Sequence, residues 1–263
     1  MTQWLSQPTT IWLTGASSGI GDSLARALLA DGHHLIATSR RRETLEALGQ
    51  GPSGKVTVAP ADTTSRDDLA RIQDTLDRQH PVQMAILNAG TCEYLDVRRF
   101  DADIIENNVR TNLLGTAYSV ETVLPALRAA RDEGLPARLV IVSSSAWWFP
   151  FARAEGYGAS KAGLTYFAES LRADLAAEGI GVTVVSPGFV KTPLTDQNDF
   201  PMPFLIEADD AAQRIVKGLR QGRNRIDFPK PFTVTLKLLR LLPRRWADAL
   251  AARMARSEDG ASS

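Results

Sequence analysis

The chain has 263 residues, enough for one large α/β domain with a substantial core, and its 44% hydrophobic and 23% charged residues are those of an ordinary soluble protein. Its 30 Lys plus Arg balance 30 Asp plus Glu, and zero net charge argues against bulk nucleic-acid binding. A single cysteine, Cys92, excludes an internal disulfide and a thiolate metal cluster, and His33, His34 and His80 lack metal-ligand spacing, so they read as loop or surface residues and no metal is expected. Residues 1–10 lack a charged start followed by an apolar run, and no run of about 18 apolar residues occurs, so the expected location is the cytoplasm.

In chain order, short β-branched runs alternate with longer amphipathic stretches, the pattern of a Rossmann-type doubly wound parallel sheet of about seven strands with helices on both faces. The first strand, 11–14, runs into Thr14-Gly15-Ala16-Ser17-Ser18-Gly19-Ile20-Gly21 and a helix at 19–31. Glycines there let backbone amides approach a pyrophosphate, and the helix N-terminus adds partial positive charge. Gly15, Ser17, Ser18, Gly19, Ile20 and Gly21 are therefore a candidate dinucleotide cradle, with an ordinary tight turn as the competing account. The second strand, 35–39, ends in Thr38-Ser39-Arg40-Arg41-Arg42, where an NAD site carries an acidic residue for the ribose 2′-hydroxyl. A carboxylate repels a 2′-phosphate and arginine binds one bidentately, so Arg40, ahead of Arg41 and Arg42, points to NADP(H) over NAD(H). A solvated start to the helix at 44–48 explains the same arginines.

After the third strand, 56–59, Asp62 is placed to accept from an adenine amino group or to cap the helix at 65–79. The fourth strand, 84–87, closes on Asn88-Ala89-Gly90, whose small residues let a cofactor lie against the backbone unless they form a plain turn. One long helix is expected at 103–131, then a fifth strand at 139–142 ending in Ser143, Ser144 and Ser145. Ligands of open α/β sheets bind outside the carboxyl ends of the strands, so any of these hydroxyls can hold a substrate oxygen. On the next helix, 157–178, Tyr157 and Lys161 stand four residues apart on one face. A phenol titrates near ~10, and working close to neutrality needs a shift of roughly two to three units, or about 3 to 4 kcal/mol. One unit charge at ~4 Å in an effective dielectric of ~20 supplies roughly that much. The pair therefore reads as a tuned acid/base.

Taken together, Thr14 to Gly21, Asn88-Ala89-Gly90, Asn112, Ser144, Tyr157 to Lys161 and Pro187-Gly188 resemble the short-chain dehydrogenase/reductase family from about residue 10 to 222. The resemblance implies that Tyr157 is the proton donor and acceptor, and that Lys161 lowers its pKa and holds the nicotinamide ribose. It further implies that Ser144, rather than Ser143 or Ser145, polarises the substrate oxygen and that Asn112 positions a proton-relaying water. Thr192 resembles the residue that binds the carboxamide, with Pro187, Gly188 and Val190 along the cofactor. The family also implies a homo-oligomer, dimer or tetramer. Two departures stand out: Leu87 replaces the first of two asparagines often found before Ala-Gly, and Ser18 stands where some NADP-preferring members carry a basic residue.

Trp147, Trp148, Phe149, Pro150 and Phe151 follow the serines, and Phe200 to Phe204 follow the sixth strand at 182–186. Near the crevice they suit a hydrophobic carbonyl or alcohol substrate; core filling or subunit packing is the alternative. A helix at 208–221 and a strand at 225–228 complete a single domain over 1–229, followed by an appended helical segment at 230–256 and a frayed tail at 257–263. The segment 230–256 mixes apolar residues with cations, which fits peripheral contact with an anionic membrane or a helix packed over the pocket or a neighbouring subunit. The expected function is NAD(P)-dependent hydride transfer, with a redox-inactive dinucleotide-sensing or interaction protein as the alternative.

Overall fold

The computed structural model describes residues 4–50 and 54–259, with side chains as far as Ala251. In chain order it contains Thr10–Thr14 (β1), Gly19–Ala30 (α1), His34–Thr38 (β2), Arg42–Leu48 (α2), Lys55–Val58 (β3), Arg66–Arg78 (α3) and Met84–Leu87 (β4). Ala102–Val109 (α4), Gly115–Asp132 (α5), Ala137–Val142 (β5), Glu155–Ala176 (α6) and Ile180–Pro187 (β6) follow. The two-residue strands Val190–Lys191 (β7) and Ile206–Glu207 (β8), then Ala208–Arg220 (α7), Arg225–Phe228 (β9), Lys230–Leu239 (α8) and Arg244–Asp259 (α9), complete the order.

Alternation along the central strands builds two cores. Ile11 and Leu13, Met84 and Ile86, and Val140 and Val142 face a layer containing α1, α2 and α7. Trp12, Ala85, Leu87, Leu139 and Ile141 face the opposite layer of α3, α5 and α6. Burial on both faces explains why these strands read as unbroken apolar runs rather than alternating ones. The sheet is parallel throughout, in the order β3-β2-β1-β4-β5-β6-β9. The chain winds outward from β1 to β3 and returns to β1's other side as β4. Beyond the carboxyl ends of β1 and β4 the flanking loops therefore diverge and leave a crevice.

Three expectations need correction. The helix expected at 103–131 is continuous but not uniform: it widens into a π-helical turn over Arg110–Leu114, between α4 and α5. The aromatic run Trp147 to Phe151 does not form part of the crevice. Trp148 and Phe149 instead pack with Phe232 and Leu236 of α8 in a third small core, edged by Trp147, Phe151, Leu250 and Ala251. His33 lies in the loop before β2 as expected but is buried there, where its Nδ1 accepts the backbone N–H of Thr9 at 3.2 Å and burial pushes its imidazole pKa down. In addition, α9 continues to Asp259, so positions 257–259 of the expected tail are helical, while 260–263 lie outside the described residues.

Candidate active site

The glycine turn after β1 is held by its neighbours. Thr14 Oγ1 accepts the backbone N–H groups of Asn88 (3.0 Å) and Ala89 (3.1 Å), and Asn88 Nδ2 donates to the carbonyls of Thr14 and Gly15. Gly15 has φ +69° and packs so closely that a Cβ there would lie 2.9 Å from the Ala89 Cα. Gly19 has φ +54°, and its Cβ would lie 2.8 Å from Thr192 Cγ2. The first turn of α1 thus faces the crevice with bare backbone. Its N-cap, Ser18, makes no side-chain cap hydrogen bond, and Asp22 is paired with Arg26, which leaves the leading amides available to an anion.

A cavity of about 770 Å³ runs from this turn across the ends of β2, β4, β5 and β6. Every cofactor candidate lines it: Gly15, Ser17, Ser18, Gly19, Ile20, Gly21, Arg40, Asp62, Asn88, Ala89, Gly90, Tyr157, Lys161, Pro187, Gly188, Val190 and Thr192. At the β2 end Arg41 lines it beside Arg40, and Arg41 Nη2 reaches back to the Ser17 carbonyl at 3.2 Å. Two guanidinium groups therefore flank this end, with Arg41 the better fixed. Asp62 Oδ1 is occupied by the Thr64 N–H and hydroxyl at 2.8 and 2.7 Å, a local turn that aims the carboxylate into the cavity wall.

Toward the other end, Ser144, Tyr157 and Lys161 converge on the same cavity. Ser144 stands beside the Tyr157 phenol, near enough to draw its pKa down, and Ser144 Oγ accepts the Ala146 N–H at 3.2 Å. Lys161 Nζ donates to the Val142 carbonyl at 3.1 Å and lies 5.9 Å from the Tyr157 ring centroid. Gly90 makes room for it, since a Cβ there would stand 3.4 Å from Nζ. Ser143 also lines the cavity, but its Oγ is committed to the Lys161 carbonyl and Thr165, fixing α6 against β5.

The electrostatics differ from the acidified phenol expected above. Burial pushes the Tyr157 phenol well above its ordinary value and outweighs the lowering influence of Ser144. Burial likewise pulls Lys161 down to about 8. Both groups sit at the cavity floor, and there the low dielectric disfavours each charged form. Burial also raises the Cys92 thiol, which keeps it a poor nucleophile.

Asn112 is fully buried and does not line the cavity. Its amide pairs with the backbone of Thr91, accepting N–H at 2.9 Å and donating to C=O at 3.0 Å, and donates also to Ser160 Oγ at 2.9 Å. One helical turn earlier, Asn108 does the same for Glu93: Oδ1 accepts its N–H at 3.3 Å and Nδ2 donates to its C=O at 3.1 Å. Two amides at i and i+4 thereby replace a neighbouring strand for the segment after β4. The segment carries Thr91 and Glu93, which line the cavity with Leu194 and Gln197. None of these was singled out from sequence; the available signal was a pair of asparagines one turn apart inside a helical run.

Fold and site together define a Rossmann-type α/β protein with a hydroxyl, phenol and ammonium set beside a glycine-rich turn. The family model for short chain dehydrogenases matches residues 9–201, and the chain belongs to the short-chain dehydrogenase/reductase family of oxidoreductases. It is 37% identical over 249 residues to an uncharacterized oxidoreductase of Myxococcus xanthus, covering 93% of this chain and 97% of that one. It is 30% identical over 245 residues to 11-beta-hydroxysteroid dehydrogenase A of Sesamum indicum, covering 85% and 69%. Among solved structures, a short chain dehydrogenase from Burkholderia cenocepacia J2315 in complex with NADP superimposes with a TM-score of 0.79 at 23% identity, over 94% of this chain and 98% of that one.

Proposed function

We propose that the chain is an NADP(H)-preferring oxidoreductase that interconverts a carbonyl compound and its alcohol with Tyr157 as the acid/base. The observation that carries the reading is the meeting of Ser144, Tyr157 and Lys161 with the glycine turn in one cavity. The uncapped start of α1 fits a pyrophosphate, and Arg40 and Arg41 fit a 2′-phosphate. When bound, the nicotinamide supplies or accepts the hydride. Tyr157 donates its phenolic proton to the carbonyl oxygen during reduction and recovers one during oxidation. A phenol pushed up by burial rests as the neutral donor that reduction requires. Ser144, beside that phenol on the same cavity, holds the substrate oxygen next to it. Asn112 acts as a positioning residue, because its side chain is committed to Thr91 and Ser160. At the substrate end Leu194 and Pro193 offer apolar wall, and Gln197 and Glu93 offer hydrogen bonds, so an apolar substrate is supported there and not by the aromatic run. In the same reading the chain works as a cytoplasmic homo-oligomer.

The test is a panel of aldehydes and ketones assayed with NADPH and NADH side by side, for wild type and Tyr157→Phe. The expected result is faster turnover with NADPH, lost in the variant while nucleotide binding persists. A variant retaining more than about a tenth of the rate, a deficit under ~1.4 kcal/mol, removes Tyr157 from the chemistry.

A further inference from the structure

The apolar side chains that the fold leaves uncovered are not scattered. Of the 12 large hydrophobic side chains exposed among the described residues, Phe204, Leu205, Val234, Leu238, Leu241, Leu242 and Trp246 belong to two segments that meet, and they are between 40% and 80% exposed. The segments touch where the Phe204 ring, its centroid 6.4 Å from that of Phe232, covers the edge of the third core beside α8. Within α8 the residues divide by face: Phe232, Thr233 and Leu236 are buried, whereas Val234 and Leu238, one turn apart, point outward in line with Leu241. Trp246 opens α9, bound through its N–H to the Pro243 carbonyl at 2.8 Å, directly after Leu241 and Leu242. Isolated exposed hydrophobics need no explanation, but five within the 13 residues from Val234 to Trp246 do.

Cations are interspersed with these residues along the chain. Residues 230–251 contain Lys230, Lys237, Arg240, Arg244 and Arg245 and one acid, Asp248. Lys237 is spent on Asp227 at 2.6 Å, and Arg240 lies 4.9 Å from the Trp147 ring. No carboxylate among the described side chains pairs with Lys230, Arg244 or Arg245. An apolar stripe in a segment whose cations outnumber its acids, three of them unpaired among the described side chains, matches an anionic bilayer, where the stripe enters the acyl boundary and the cations meet lipid phosphates. A second copy of the chain fits poorly, because a two-fold contact through this face brings the same excess of cations to both sides of the interface. No helix of the described residues is long and apolar enough to cross a membrane, so the contact is with one leaflet.

We propose that the face formed by Phe204, Leu205, α8 and the start of α9 docks the protein on an anionic membrane surface. The loop between β7 and β8, which carries the cavity residues Leu194 and Gln197, ends in Phe204 and Leu205 and thus lies at the lipid. The full chain should co-sediment with phosphatidylcholine vesicles containing about 30% phosphatidylglycerol, and at least ~10-fold more weakly with phosphatidylcholine alone. Leu238→Asp with Leu241→Asp, and separately Arg244→Glu with Arg245→Glu, should each cut that binding about 10-fold without changing thermal melting or nucleotide binding. Should the leucine pair fail to fold, brominated lipid should still quench tryptophan emission in wild type, with the loss of quenching in Trp246→Phe as the readout. Wild type that stays in the supernatant with anionic vesicles overturns the proposal, as do variants that bind as tightly as wild type. An oligomer abolished by the leucine variant without any vesicle binding assigns the face to a second copy and overturns it equally.

Discussion

Burial at the cavity floor works against charge on the two residues most concerned with proton transfer. Tyr157 and Lys161 could be picked from the chain because four-residue spacing on a helix is a local property. Their charge states could not, because desolvation depends on what α6 packs against. Lys161 is lowered to about 8 from 10.5 because burial disfavours its ammonium. Between about 8 and ~10.4 the unfolded chain holds a proton that the folded chain has released, so stability rises with pH across that window. Below it the ammonium is buried at full cost, about 3 kcal/mol for a shift of this size. Lys161→Met should therefore stabilise the ligand-free protein at pH 7, by about 1 to 2 kcal/mol once the unpaired Val142 carbonyl is counted. The same variant should lose turnover. Urea unfolding at pH 7 and pH 9.5 checks this: the advantage should shrink at the higher pH, and a variant less stable than wild type at pH 7 contradicts the account.

At the scale of elements, the glycine turn, the strand ends and the start of α6 were legible because each is a short pattern with one favoured backbone geometry. The extended segment after β4 was not, since its partners arrive from α4 and the π-helical turn, some 15 to 21 positions later in the chain. Asn108 is the sharper test of that device, because it lies away from the cavity and is fully buried. Asn108→Leu keeps the volume but leaves the Glu93 N–H and C=O without their partners, at about 1 to 3 kcal/mol for each buried group. The expected outcome is a loss of about 2 to 4 kcal/mol in stability, with a raised KM for the carbonyl substrate as Glu93 and Thr91 shift. Nucleotide affinity should change little, because the glycine turn is tied to Thr14 and Asn88 instead. Unfolding and steady-state kinetics on one preparation separate these effects, and equal loss of nucleotide and substrate affinity contradicts a local role.

For the whole molecule, the doubly wound sheet and its crevice followed from the alternation of strand and helix, whereas the aromatic run after β5 was left between crevice and core, and the structure takes the core. Its destination depends on α8 and α9, which sequence alone left free to cover the pocket, a neighbour or a membrane. In the structure these helices have two faces, an inner one closing the third core and an outer one left apolar and cationic. Removing 230–263 is consequently a test of folding. Phe232 and Leu236 would be lost, at roughly 1.5 to 3 kcal/mol each, and Trp148 and Phe149 would lose their cover. Asp227, its side chain only 6% exposed, would lose its pairing with Lys237 and, with α8 gone, part of its cover. The combined loss is comparable to the whole stability of an ordinary domain, about 5 to 15 kcal/mol. The truncated chain should lack a cooperative thermal transition, measured by circular dichroism, and should bind a hydrophobic dye at room temperature. A truncated chain that still melts cooperatively within a few degrees of the full chain would show that the aromatic run finds cover without α8, and the third core would then be an accessory to the fold instead of part of it.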